Sequence, residues 1–156
     1  MSNQLKMFIY PGKLHASKIS YQLNTILGSC VAVCLYDDSK QIGGMNHYML
    51  PLWNGEGLAS PKYGNVAIER LISKMMKLGC NRQNIKAKIF GGASVISVNN
   101  DLYNIGQRNI QLAEDILEKE GIKIIASSVG GFQGRKILMD TSNFQIRQKY
   151  IEKKNF

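Results

Sequence analysis

The chain has 156 residues, 44% of them apolar and 20% charged, with a formal net charge of +9. That length suffices for one substantial core, and that balance excludes a disordered or fibrous chain. The longest apolar stretches, such as Cys30 to Tyr36, are too short to cross a bilayer; the N-terminus MSNQLKMFIYPGK has no apolar run leading to a cleavage site, so the protein is expected in the cytoplasm, without membrane insertion.

Leu23 to Tyr36 is rich in Val, Ile and Leu and reads as strand, interrupted at Gly28-Ser29. After Cys30 it becomes a near-continuous apolar run, as expected of a strand covered on both faces. Asp37-Asp38-Ser39 supplies a turn. Ile42 to Leu50 reads as the returning strand, where Gly43-Gly44 marks a bulge or a close backbone approach. Pro51 and the stretch Trp53 to Pro61 form a loop. Helical spacing of Ala67, Ile68, Leu71, Ile72, Met75 and Met76 predicts a helix over about 65–78, stopped at Gly79. Ile85 to Phe90 is a short strand closed by Gly91-Gly92. A second helix fits Ile105 to Glu120, with Asn104 as N-cap and Gly121 as stop. Ile122 to Val129 is another strand, ended by Gly130-Gly131. Arg135 to Asp140 and Phe144 to Ile151, separated by Thr141-Ser142-Asn143, read as a terminal hairpin. Hairpins combined with strand–helix–strand units argue for an α/β fold with a mixed sheet flanked by helices. No linker or repeat divides the chain, so residues 1–156 read as one domain, with 1–20 and 151–156 peripheral.

The basic residues are scattered, concentrating only from Arg147 to Lys154, and no nucleic-acid-binding motif accompanies them. No nucleic-acid partner is expected; a basic surface steers association with any acidic macromolecule. The three cysteines, Cys30, Cys34 and Cys80, form no even disulfide framework and read as thiols.

Gly28-Ser29-Cys30 is the segment with chemical potential. Small residues before a nucleophilic cysteine leave its sulfur accessible, and the amides around Ser29 and Cys30 would stabilise an oxyanion. The thiol needs an imidazole to become a thiolate. His47 is one of two histidines. A turn centred between Asp38 and Ser39 would set it directly opposite Cys30, with Cβ atoms about 5 Å apart. The bland alternative is a small buried cysteine; Cys34, in the middle of the apolar run, and Cys80, after a helix stop, are assigned to it. Cys-x3-Cys in a strand fits zinc poorly and no fourth ligand is obvious, so no metal is expected. Gly91-Gly92 and Gly130-Gly131 follow strands, where they either let substrate approach or satisfy a positive φ; they lack phosphate-loop spacing.

The stretches TILGSCVAVCLYD (25–37) and GGMNHYMLP (43–51) resemble the CheD family, chemoreceptor glutamine deamidases of bacterial chemotaxis. So do KYG (62–64), KIFGGAS (88–94), NIGQRN (104–109) and GGFQGRK (130–136). The resemblance implies hydrolysis of glutamine side-chain amides on chemotaxis receptors to glutamate, without a cofactor, in an α/β sandwich with flanking helices related to deamidating bacterial toxins. It also implies the phosphatase CheC as a partner that competes with receptor for one surface. Cys30 would be the nucleophile and His47 the acid–base partner, with Gly28, Ser29, Gly91 and Gly92 around the oxyanion and substrate. In the family a threonine six positions before the cysteine completes the triad; here that position is Asn24, followed by Thr25. Either Asn24 orients the imidazole through its amide oxygen, or a shift in register brings in Thr25. The departure keeps a second function class open: an adaptor that binds receptors or CheC with little catalysis. A general cysteine peptidase is a distant third.

Overall fold

The computed structural model describes residues 4–94 and 104–152. In chain order the strands are β1 (Leu5–Phe8), β2 (Leu14–Ser17), β3 (Tyr21–Leu27), β4 (Val31–Asp37), β5 (Ile42–Asn46), β6 (Ile85–Gly91), β7 (Lys123–Val129), β8 (Arg135–Asp140) and β9 (Ile146–Tyr150). Helix α1 (Gly64–Lys77) lies between β5 and β6, and α2 (Ile105–Lys119) between β6 and β7. They form a four-stranded sheet in the order β1-β3-β8-β9 and a five-stranded sheet in the order β2-β5-β4-β6-β7. Of the basic tail expected from Arg147 to Lys154, Lys153 and Lys154 fall outside the described residues.

Two apolar layers hold the architecture together. Leu23 and Leu27 of β3 and Ile137 and Met139 of β8 pack on Ala32, Cys34 and Tyr36 of β4 and on Met45 and Phe90. The opposite face of the second sheet, including Val31, Val33 and Leu35, packs on Ile68, Leu71 and Met75 of α1 and Ile110, Ala113 and Leu117 of α2. The result is three layers: sheet, sheet, helices. β4 lies in the middle layer and is buried at every position, which is why its sequence is apolar without alternation. Fully burying such side chains stabilises by about 1.5–3 kcal/mol each.

Both expected helices form, and each stops at a glycine with positive φ, Gly79 at 101° and Gly121 at 70°. Asn104 occupies the N-cap position of α2 but makes no side-chain capping bond. The expected single stretch from Leu23 to Tyr36 is two strands in different sheets, and Gly28-Ser29-Cys30 carries the chain from one to the other. The N-terminal stretch expected to be peripheral supplies both β1 and β2. They are edge strands, yet Ile9 between them is only 1% exposed.

The β4–β5 turn comes later than the sequence suggested. Asp37 pairs with Ile42 and Cys34 with Met45, leaving a four-residue loop with Gln41 at φ 55°. The Asp37 carboxylate builds that loop by accepting from Ser39 N (2.9 Å), Ser39 Oγ (2.6 Å) and Lys40 N (3.3 Å). With Val31 bridged to Tyr48, His47 lies level with Ala32 and Cys30 with Met49. The offset is two residues, so Cys30 and His47 keep the same face and become diagonal neighbours instead of an opposed pair.

At Gly43-Gly44 there is no bulge: the register with β4 is continuous. The glycines serve close approach. A Cβ on Gly44 would meet Ala16 Cβ and the His15 carbonyl oxygen at 2.8 Å and Leu71 Cδ1 at 2.9 Å. Arg135 of β8 is 1% exposed and donates to the Ser128 carbonyl (2.6 Å), Ser128 Oγ (3.1 Å) and the Gly130 carbonyl. It thereby fastens the loop after β7 to the first sheet. Gly44→Ala is expected to lower unfolding free energy by about 1–3 kcal/mol, because backbone of β2 must move to admit the methyl. Urea denaturation at unchanged slope checks this.

Candidate active site

Cys30 sits where the chain leaves the first sheet for the second, and three bonds fix that crossing. Ala93 N–H donates to the Gly28 carbonyl (2.9 Å), Asn109 Nδ2 to the Ser29 carbonyl (3.0 Å) and Gly92 N–H to the Cys30 carbonyl (2.8 Å). All three carbonyls therefore point into protein. The Ser29 N–H donates to no acceptor among the described residues, and the Cys30 N–H faces only its own sulfur. Carbonyls held inward and amides left over is the arrangement that an oxyanion needs.

Gly91 and Gly92 lie behind this crossing. Their φ values are 104° and 72°; a Cβ would stand 2.2 Å from the Cys30 carbonyl oxygen at Gly91 and 2.4 Å from Ile110 Cγ1 at Gly92. Both glycines have the positive φ that was expected, and the close approach is within the protein, of Gly91 to the Cys30 backbone and of Gly92 to Ile110 of α2. The Gly92 N–H is committed to Cys30 and is not available to a substrate.

His47 enters from just beyond β5 and is 2% exposed. Its backbone is gripped on both sides: Gly12 N–H donates to its carbonyl (2.8 Å) and its own N–H donates to the Lys13 carbonyl (3.1 Å). Its Nδ1 lies 2.8 Å from Thr25 Oγ1 and 3.2 Å from the Ile9 carbonyl oxygen. Thr25 Oγ1 is itself 2.6 Å from that same carbonyl. A carbonyl only accepts, so the hydroxyl proton of Thr25 goes to Ile9, and Thr25 then accepts from Nδ1. These partners assign the ring proton to Nδ1 and leave Nε2 with a bare lone pair. Nε2 is buried and has no hydrogen-bond partner among the described residues. A buried imidazole with its tautomer fixed and one nitrogen unspent is configured as a proton acceptor.

Burial pushes the Cys30 thiol up, against a smaller opposing effect of its own backbone amide, and pushes the His47 imidazole down, against the Ile9 carbonyl. The resting pair is therefore neutral thiol and neutral imidazole, and no hydrogen bond joins them. Cys30 is half-buried, whereas Cys34 and Cys80 are buried. Burial raises the Cys34 thiol strongly, and burial with nearby Asp37 pushes Cys80 up to about 11, so neither forms thiolate readily.

Of the two candidates for a third member, the structure brings Thr25 to the imidazole. Asn24 points to the other face of β3, where its Nδ2 donates to the Met7 carbonyl (3.2 Å). Two participants were missed in the sequence. The Ile9 carbonyl is a backbone group in a stretch without pattern, so no sequence signal marks it. Asn109 had a signal: it is a polar residue on the apolar stripe of α2, fully buried, and its Nδ2 also donates to the Met49 carbonyl (3.0 Å). It thus ties together the two segments that carry Cys30 and His47.

The family model for CheD chemotactic sensory transduction matches residues 49–150. A protein of Sulfurimonas denitrificans named probable chemoreceptor glutamine deamidase CheD is 49% identical over 153 residues, 97% of each chain. One with the same name from Trichlorobacter lovleyi is 49% identical over 136 residues, 87% of this chain and 84% of its own. Among solved structures, the Bacillus licheniformis hypothetical protein YfiH overlaps 70% of this chain and 49% of its own, at 17% identity and a TM-score of 0.41, too distant to carry an argument.

Two measurements check the site. Nitrogen-15 spectra are expected to show His47 as the Nδ1–H tautomer, with Nε2 unprotonated at neutral pH. Asn109→Leu strands two carbonyls and is expected to cost roughly 2 kcal/mol, lowering Tm by about 4–8 °C.

Proposed function

The chain belongs to the CheD family, and on that premise we propose that it hydrolyses glutamine side-chain amides on chemoreceptors, with Cys30 as nucleophile, His47 as acid and base, and Thr25 orienting His47. The single observation that carries this reading is the unpartnered Nε2 of a buried histidine whose other nitrogen is tied to Thr25 and Ile9.

In the first half-reaction the Cys30 thiol gives its proton to Nε2 as sulfur adds to the glutamine Cδ. The oxygen gains charge and is held by the N–H groups of Ser29 and Cys30, each such donor worth about a hundred- to a thousandfold in rate. Collapse breaks the C–N bond; the proton on Nε2 goes to nitrogen, and ammonia leaves a thioester on Cys30. In the second, Nε2 takes a proton from water as its oxygen adds to the same carbon. The C–S bond breaks, the proton returns to sulfur, and glutamate is released. Thr25 and Ile9 stay hydrogen-bonded to Nδ1–H throughout, so the imidazolium of each half-reaction keeps its orientation.

A neutral resting pair means that the thiolate is formed only as it attacks. The His47 shift also fixes the acid limit. Because burial holds the imidazole below its ordinary value of 6.5, the base stays neutral as pH falls through that value. The acid limb of kcat/KM is therefore expected below pH 6.5. The same shift makes the fold lose stability in that range: the unfolded chain takes up the proton first, so the contribution is complete above 6.5 and declines as pH falls towards the folded value. Paired pH–rate and pH–melting profiles check both signs.

The deciding experiment is intact-mass analysis of a receptor cytoplasmic fragment incubated with the protein. A gain of about one mass unit per modified glutamine, with ammonia released and nothing from Cys30→Ala, is expected. Thr25→Val should slow turnover by at least about tenfold, and Asn24→Ala should leave it within about twofold. Binding without any mass change would identify a receptor adaptor instead.

A further inference from the structure

The four-stranded sheet packs one face on the second sheet and leaves the other open. Strand pairing fixes which side chains lie on that open face. Ile26 pairs with Lys136 and Lys136 with Lys149; Asn24 pairs with Leu138 and Leu138 with Arg147; on the β1 side, Lys6 pairs with Gln22. Lys6, Lys136, Arg147 and Lys149 are all exposed, and Ile26 is 48% exposed.

Two things set this face apart from an ordinary solvated one. Lys136 and Lys149 are directly opposed across β8 and β9, a like-charge pairing that weakens a sheet. None of the four cations has a carboxylate partner among the described residues, where the ion pairs are Arg82–Glu120 and Lys86–Asp38. Asp140, the acidic residue that pairs with Gln22, is at the far end and bonded to Gln4 (2.8 Å) and Ser142 (2.6 Å). Lys6 lies at that far end, level with Gln22 and Asp140, whereas Lys136, Lys149 and Arg147 stack uncompensated charge towards the other, with apolar Ile26 and Leu138 beside them. That second end is the one at which β3 leaves for Cys30: Ile26 and Lys136 adjoin the Leu27–Arg135 pair, which precedes Gly28.

We propose that this face is the docking surface for the substrate protein, taking an acidic amphipathic helix whose carboxylates meet Lys136, Arg147 and Lys149 and whose apolar side chains rest on Ile26 and Leu138. Four strands at about 4.8 Å spacing give a platform about 14 Å across, wide enough to seat one helix of about 10–12 Å diameter. The apolar residues and amides interleaved with the cations favour a protein over a lipid surface. The inference rests on the reading of receptors as substrates and adds where they bind.

Binding is measured without catalysis, using Cys30→Ala protein and a receptor cytoplasmic fragment at low and physiological salt. Reversing Lys136 and Lys149 together to Glu is expected to weaken binding roughly tenfold at low salt and to flatten its salt dependence. Lys136→Glu alone creates an opposite-charge pair with Lys149. It is expected to raise Tm while weakening binding, which separates a docking role from damage to the fold. Unchanged affinity in both variants overturns the proposal. So does loss of binding to vesicles of phosphatidylcholine and phosphatidylglycerol with receptor affinity intact, which would make the face a membrane surface. Receptor that docks here but is never deamidated by the unmodified protein would leave the surface standing and remove the catalytic reading.

Discussion

A three-residue crossing between two sheets is the constraint on which the site depends. Gly28, Ser29 and Cys30 have too little length to relax, and their three carbonyls are held by two elements: Ala93 and Gly92 of the loop after β6, and Asn109 of α2. Once those three bonds form, the direction of the intervening N–H groups is decided, and so is the exit of the sulfur from the backbone. Glycine is needed at 91 because the loop must come within contact of the Cys30 carbonyl, and at 92 because Ile110 of α2 packs against it. The third layer thereby shapes a segment that runs between the first two.

His47 is fixed by the opposite logic. Its partners come from the first sheet and the N-terminal segment: Thr25 lies in β3, and Ile9 follows β1. Neither partner carries charge, and the Ile9 carbonyl offsets the desolvation of an imidazolium only in part, so the ring stays neutral. An imidazole held by a carboxylate would sit at higher pKa and favour a standing thiolate. Here the hydroxyl and the carbonyl supply direction without charge. Thiol and imidazole are thus positioned by different layers, and Nε2 is left without a hydrogen-bond partner among the described residues.

Much of this was legible in the sequence, for reasons that differ by residue. Both helices were marked by 3.6-residue spacing and glycine stops. β4 was marked by an apolar run that only a strand covered on both faces allows. The terminal hairpin was marked by its polar turn. What failed was register. The Asp37 side chain bonds to the amides of Ser39 and Lys40 and thereby moves the turn, and such a bond has no periodicity to betray it. The same limitation left Asn24 and Thr25 unresolved, since adjacent strand residues point to opposite faces and the facing one depends on the sheet in which β3 lies. β1 and β2 were invisible because four-residue edge strands carry too few positions for alternation to show. Ile9 contributes through its backbone, where side-chain identity is silent.

The buried guanidinium of Arg135 has a consequence for how the molecule assembles. Its hydrogen-bond acceptors are the carbonyls of Ser128 and Gly130 and the Ser128 hydroxyl, all supplied by the end of β7 and the turn beyond it. A sandwich that closed before that turn docked would trap an unsatisfied cation, a state several kcal/mol uphill. Closure and docking are therefore favoured as one cooperative event. Since Gly130 N–H in turn donates to the Gly91 carbonyl (2.9 Å), the backbone behind Cys30 acquires its order in that same event, and a half-folded chain carries an unshaped thiol.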